Sequence, residues 1–178
     1  LHGSLEPAEQ RAAIRKSANR KVILATSIAE TSLTIDGVHI VVDSGLARRA
    51  LYGRAAGCTG FVSVRASRAA ASQRAGRAAR QGPGVAYRLW EEAATAGMPP
   101  FDPPEILEAD LSPLLLDCAF WGLSDPASLQ WLDLPPKAAI DEARTRLADI
   151  GAIDPDGRPT AHGRAISSLP LPPRLAHM

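Results

Sequence analysis

Residues 21–43 read Lys21-Val-Ile-Leu-Ala-Thr-Ser-Ile-Ala-Glu30-Thr-Ser-Leu-Thr-Ile-Asp-Gly-Val-His-Ile40-Val-Val-Asp43. Two nearly continuous apolar runs, residues 21–26 and 38–43, flank a Ser/Thr-rich turn. Continuous rather than alternating hydrophobicity predicts parallel strands covered on both faces. The span 27–37 between them has the length of one short helix plus loops. Working outward, residues 7–17 read as a polar helix, and 61–64 as a third, shorter strand. Residues 85–90 form a fourth, entered through Gly82-Pro83-Gly84. Residues 67–80 between these last two are Ala/Arg-rich, with strong helix propensity. Residues 1–90 therefore read as the later part of a doubly wound α/β domain.

The composition changes at the Pro-rich stretch 97–104, and the chain beyond it is helical and acidic. Ser112 is expected as an N-cap with Pro113 at the first helical position, opening a helix to about 121. A second helix, 137–150, carries Ala139, Ile140, Ala143, Leu147 and Ile150 at helical spacing, and Gly151 stops it. Residues 153–158 read as a tight hairpin turning at Asp156-Gly157. Thr160 then caps a short helix to 168. Helix, helix, small hairpin and helix make the outline of a winged-helix module.

The 178 residues sum to a net charge of +1, which hides an asymmetry. Residues 1–90 hold 14 Lys/Arg against 5 Asp/Glu, and residues 91–178 hold 6 against 14. Residues 44–90 contain nine arginines, no lysine and no acid. Such a split asks for a polyanionic partner of the basic half. No apolar run approaches the roughly 20 residues of a membrane span. Leu1-His-Gly-Ser4 is no signal peptide, and the absence of an initiator Met predicts a piece of a longer, cytoplasmic chain. Cys58 and Cys118 lie far apart and flank no His cluster, and the four histidines show no ligand spacing, so no metal centre or disulfide framework is expected.

Gln73-Arg-Ala-Gly-Arg-Ala-Ala-Arg80 is the strongest local feature. On a helix, Gln73, Arg77 and Arg80 stand at i, i+4 and i+7 and share one face, with Arg74 roughly a quarter-turn away. An amide that orients a water and two guanidiniums that neutralise a transferring γ-phosphoryl group suit a polyphosphate. The plainer alternative is a solvated cationic helix face. The second feature is the turn 25–37, at the C-terminal end of a buried strand, where open α/β sheets place their ligands. Thr26 and Ser27 can donate to backbone phosphates, and Asp36 can meet a ribose hydroxyl or a metal-bound water. The alternative is that these hydroxyls merely cap a short helix, as Glu30 is expected to do.

In this order the two segments resemble motifs V and VI of the superfamily 2 helicases, specifically the DEAH-box RNA helicases, with details similar to the bacterial HrpB-type members. Val41-Val-Asp-Ser-Gly-Leu-Ala-Arg48 resembles the stretch after motif V, and His2-Gly-Ser-Leu5 the segment after motif IV. Residues 104–111 and 156–164 resemble the winged-helix region, and 169–176 the start of the helical ratchet domain. Ala79 departs from the family's usual Gly.

The resemblance implies a second RecA-like domain at 1–96, a winged helix at 97–168 and the start of a ratchet-like domain at 169–178. It implies ATP and Mg2+, with Gln73, Arg77 and Arg80 catalytic. Asp36 and Thr34 join those three on the nucleotide, and Ser4, Thr26 and Ser27 sit on RNA or another single strand. No G-x-x-x-x-G-K-[ST] loop and no DEAH box occur in the chain, so the resemblance places them on a preceding RecA-like domain, its partner across the nucleotide. It makes residues 49–64 a β-hairpin, and nothing in it calls for a membrane. The rival reading is a non-catalytic nucleic-acid module: a basic α/β domain with a winged helix that turns nothing over.

Overall fold

The computed structural model describes residues 1–31, 35–53, 57–123 and 125–178. The chain divides into two units, the first formed by residues 1–49 and 61–102, the second by 50–60 and 103–178.

In the first unit, helix α1 (Pro7–Ile14) starts on a capping box between Glu6 and Glu9 with Pro7 in its first turn. Residues 21–26, expected from their apolarity to form a strand, are not assigned to a ladder. Thr26 N–H reaches the Leu1 carbonyl at 3.0 Å, while Val22 and Leu24 are more than 80% exposed. An apolar run becomes a strand only where a neighbouring backbone offers donors and acceptors along its length. After the short α2 (Ile28–Thr31), strand β1 (Ile40–Asp43) pairs in parallel with β4 (Val85–Arg88), Ile40 opposite Val85 and Asp43 opposite Arg88.

A parallel pair demands a long crossover. Here it contains β2 (Leu46–Gly53), β3 (Cys58–Arg65) and helix α3 (Arg68–Ala78). Strands β2 and β3 make a separate two-stranded sheet and, being only four residues apart, can pair only antiparallel. Helix α3 packs against β1 and β4, with Ala66, Ala70, Ala71 and Met98 buried and Ala47 and Trp90 beside them. The opposite face of the pair leaves Ile40, Val42, Val85 and Tyr87 exposed. The expectation of a sheet covered on both faces is therefore met on one side only, because among the described residues α3 is the helix that lies on it. Gly45 turns the chain after β1 at φ +70°, and a Cβ there would stand 2.7 Å from the Trp90 ring.

The second unit is built on α4 (Ser112–Phe120) and α5 (Lys137–Asp149), with α6 (Ala161–Ser167) and α7 (Pro173–His177) packed together. Ile140, Ala143 and Leu147 of α5 meet Leu111, Leu115, Leu116 and Ala119 in one core, closed by Ile153 and Ile166. The cap of α4 is shifted by one residue from the expected Ser112. The Asp110 carboxylate accepts both the Ser112 N–H at 3.0 Å and its hydroxyl at 2.7 Å, so Ser112 is already helical. The turn at Asp156-Gly157 forms with Gly157 at φ +77°, Ile153 bridges Pro159 antiparallel, and Thr160 caps α6 through Gly163 N–H at 3.0 Å.

The hairpin tip is fastened within this unit. Tyr52 N–H bonds the Glu108 carbonyl at 3.3 Å. Arg146 of α5 donates to the Tyr52 hydroxyl and lies 4.8 Å over its ring, while reaching Asp110 at 3.4 Å. Burial among these groups raises the Tyr52 phenol above the ordinary tyrosine value. Among the described residues no helix is long and apolar enough to cross a membrane.

Candidate functional site

A cleft of about 840 Å³ in the first unit runs along β1 and past its C-terminal end to Ser44. One wall is α3, which starts cleanly because the Ser67 hydroxyl accepts Ala70 N–H at 3.1 Å. The facing wall is the turn that leads into α2, closed by Ala29 N–H to the Thr26 carbonyl at 3.2 Å and Glu30 N–H to the Ser27 carbonyl at 2.9 Å. A third side is supplied by residues 2–4 and by Arg48 and Phe61, whose ring lies 5.6 Å under the guanidinium.

The structure gathers Ser4, Thr26, Ser27, Arg77 and Arg80 around this one cleft. Helix α3 ends at Ala78, ahead of Gly82-Pro83, so Arg80 lies past the helical face on which the spacing put it and still lines the cleft. Gln73 is exposed on α3 and is not among the lining residues. Asp36 is also outside the lining, where its carboxylate accepts the Gln81 amide at 2.6 Å and Gly37 N–H bonds the same amide's oxygen at 3.0 Å. Thr34 falls outside the described residues.

Arg74, which helical spacing turns away from the others, lines the cleft with them. It pairs with Glu30 at 2.9 Å and with Asp43 at 3.0 Å. Burial works against its charge, but hydrogen bonds to the two carboxylates outweigh it and raise the guanidinium above its ordinary value. Glu30, expected only to cap, instead accepts Arg74 through its side chain and Arg77 Nε–H through its carbonyl at 2.9 Å. Asp43 is 6% exposed; its Oδ1 also accepts Gly45 N–H, and its Oδ2 has no partner among the described residues. Sequence reasoning missed this trio. The available signal was Asp43, an acid closing an otherwise apolar strand at the end where such sheets bind ligands.

Guanidiniums on one wall and hydroxyls on the other give this otherwise largely apolar cleft groups able to hydrogen-bond a phosphate. Residues 1–82 match the family of the helicase conserved C-terminal domain. The chain is 42% identical over 180 residues to the ATP-dependent RNA helicase HrpB of Escherichia coli, covering 100% of this chain and 22% of that protein. It is 39% identical over 158 residues to the pre-mRNA-splicing factor ATP-dependent RNA helicase prp22 of Schizosaccharomyces pombe, covering 88% of this chain and 14% of that one. The crystal structure of the Escherichia coli DEAH/RHA helicase HrpB is similar over 99% of this chain and 23% of its own, with a TM-score of 0.91 and 41% identity. The chain thus spans less than a quarter of these relatives. The parallel strands and α3 are those of a RecA-like α/β helicase fold. Carrying its arginine helix and Ser/Thr turn on that fold, the chain is similar to the helicase conserved C-terminal domain over residues 1–82 and to DEAH-box RNA helicases over its whole length.

Proposed function

We propose that this chain is the second RecA-like wall of an ATP-dependent RNA helicase that couples ATP hydrolysis to movement along, or unwinding of, RNA. The observation that carries the reading is that the arginines of α3 and the hydroxyls of the 26–27 turn line one cleft along a parallel strand. Arg77 and Arg80 neutralise the charge that develops on the γ-phosphoryl group, the role of arginine fingers. Gln73 orients the attacking water, and Asp36 with Thr34 meets the ribose side of the nucleotide. Ser4, Thr26 and Ser27 hold the RNA backbone.

The guanidiniums on the cleft fit a polyphosphate. Magnesium fits less well: no cluster of three His, Cys, Asp or Glu occurs among the described residues, so its ligands are assigned to a preceding RecA-like domain. Residues 97–168 are proposed as a winged helix and 169–178 as the start of a ratchet-like domain, in a protein of the cytoplasm. Loss of the γ-phosphate releases Arg77 and Arg80, and the two walls separate, which steps the strand held by Thr26 and Ser27.

Arg80→Ala in the full-length protein is expected to lower RNA-stimulated ATP turnover by roughly 10³–10⁵. Filter binding is expected to show RNA affinity largely kept. Retained turnover would remove Arg80 from the chemistry.

A further inference from the structure

The chemistry proposed above leaves Arg74 without a task, although it is bonded to three separate elements around the cleft. Its Nε–H donates to Glu30 Oε2 at 2.9 Å, and its Nη1 donates to Asp43 Oδ1 and to the Leu46 carbonyl, each at 3.0 Å. One planar fork therefore fastens α3 to the α2 turn, to the end of β1 and to the start of β2. The Asp43 side chain is only 5% exposed, so without Arg74 it would be a buried carboxylate stripped of its counter-charge.

Glu30 stands at the junction of the two walls. Its N–H holds the Ser27 carbonyl, its own carbonyl receives Arg77 Nε–H, and its carboxylate receives Arg74. Ser27 and Arg77 are thus separated by two hydrogen bonds through one residue. Arg77 donates to the Glu30 carbonyl through both Nε–H and Nη2–H, so turning that edge onto a phosphate gives the carbonyl up. The Arg74–Glu30 pair is a second tie between the turn and α3 that such a turn of Arg77 leaves in place.

We infer that Arg74 is a positioning residue that couples the nucleotide side of the cleft to the nucleic-acid side, making α3 and the Thr26–Ser27 turn move as one body. The inference rests on the function proposed above and adds the link between its two halves. Coupling of this kind is a free energy shared by both ligands: nucleotide alters RNA affinity by the same factor by which RNA alters nucleotide affinity. A lysine at 74 keeps the charge but not the fork, and cannot hold two carboxylates and a carbonyl in one plane.

The test measures the dissociation constant of the full-length protein for a fluorescein-labelled single-stranded RNA by anisotropy, with and without a non-hydrolysable ATP analogue. In the wild type the two constants are expected to differ by about 5–150-fold. In Arg74→Lys their ratio is expected to fall to within about twofold of unity. Glu30→Gln attacks the same pair from the other end and decides the matter if Arg74→Lys does not fold. A residue that merely stabilised the fold would lower the melting temperature and shift both constants together, leaving their ratio intact. That ratio, unchanged in either folded variant, would overturn the inference. So would a wild type that binds both ligands with a ratio of one, which leaves the parent reading standing. A wild type that binds neither the analogue nor RNA would strike down both.

Discussion

Gly84 stands where β4 begins, and a Cβ there would lie 2.0 Å from the Ala78 carbonyl oxygen and 2.9 Å from that of His39. Both are backbone atoms, one at the end of α3 and one beside β1, so neither can rotate aside. Gly84→Ala is expected to cost about 1–3 kcal/mol, read as a lower urea midpoint at unchanged slope. The residues that make the cleft differ in how far the sequence announces them. Arg77 and Arg80 are announced by the arginine-rich, acid-free segment that carries them. Arg74 is not, because helical spacing ranks residues by face and says nothing of which neighbours that face meets. Its partners Glu30 and Asp43 lie 44 and 31 residues away in the chain. The partner of Asp36 was equally hidden, since its carboxylate accepts from Gln81, 45 residues on.

Helices α3 and α5 were legible because each carries its own instruction: strong Ala/Arg helix propensity in α3, and in α5 an apolar stripe of the right period closed by Gly151. For α5 the stripe Ile140, Ala143 and Leu147 is the buried one, with Leu147 fully enclosed between α4 and the 152–153 turn. Leu147→Ala is expected to destabilise the second unit by about 2–5 kcal/mol, seen as a lowered thermal midpoint. Strands are less legible, because their hydrogen bonds belong to a neighbour. Residues 38–43 and 85–90 found each other, each at the cost of two end residues. Residues 21–26, of similar apolarity, did not meet a full partner strand. The cap of α4 moved by one position because Asp110, a stronger acceptor than a hydroxyl, took the first-turn donors.

Across the molecule the charge split follows the two units. The first carries 13 Lys/Arg against 8 Asp/Glu, the second 7 against 11. The basic surplus thus travels with the cleft and the acidic surplus with the helical unit. These 178 residues carry the arginines proposed to meet the nucleotide and no G-x-x-x-x-G-K-[ST] loop. Alone they are expected to show no ATP turnover in a coupled phosphate-release assay; measurable turnover would mean that the nucleotide binds elsewhere.

The second unit is discontinuous in sequence, since residues 50–60 complete a body whose remainder begins at 103. Tyr52 leaves the ribosome 94 residues before Arg146, the side chain that covers its ring. At roughly 5–20 residues per second, the hairpin tip waits about 5–20 s for the helix it rests on. Throughout that interval Leu51 and Tyr52 are nascent-chain surface, open to a holdase or a protease, so a chain truncated anywhere before α5 keeps that vulnerability permanently.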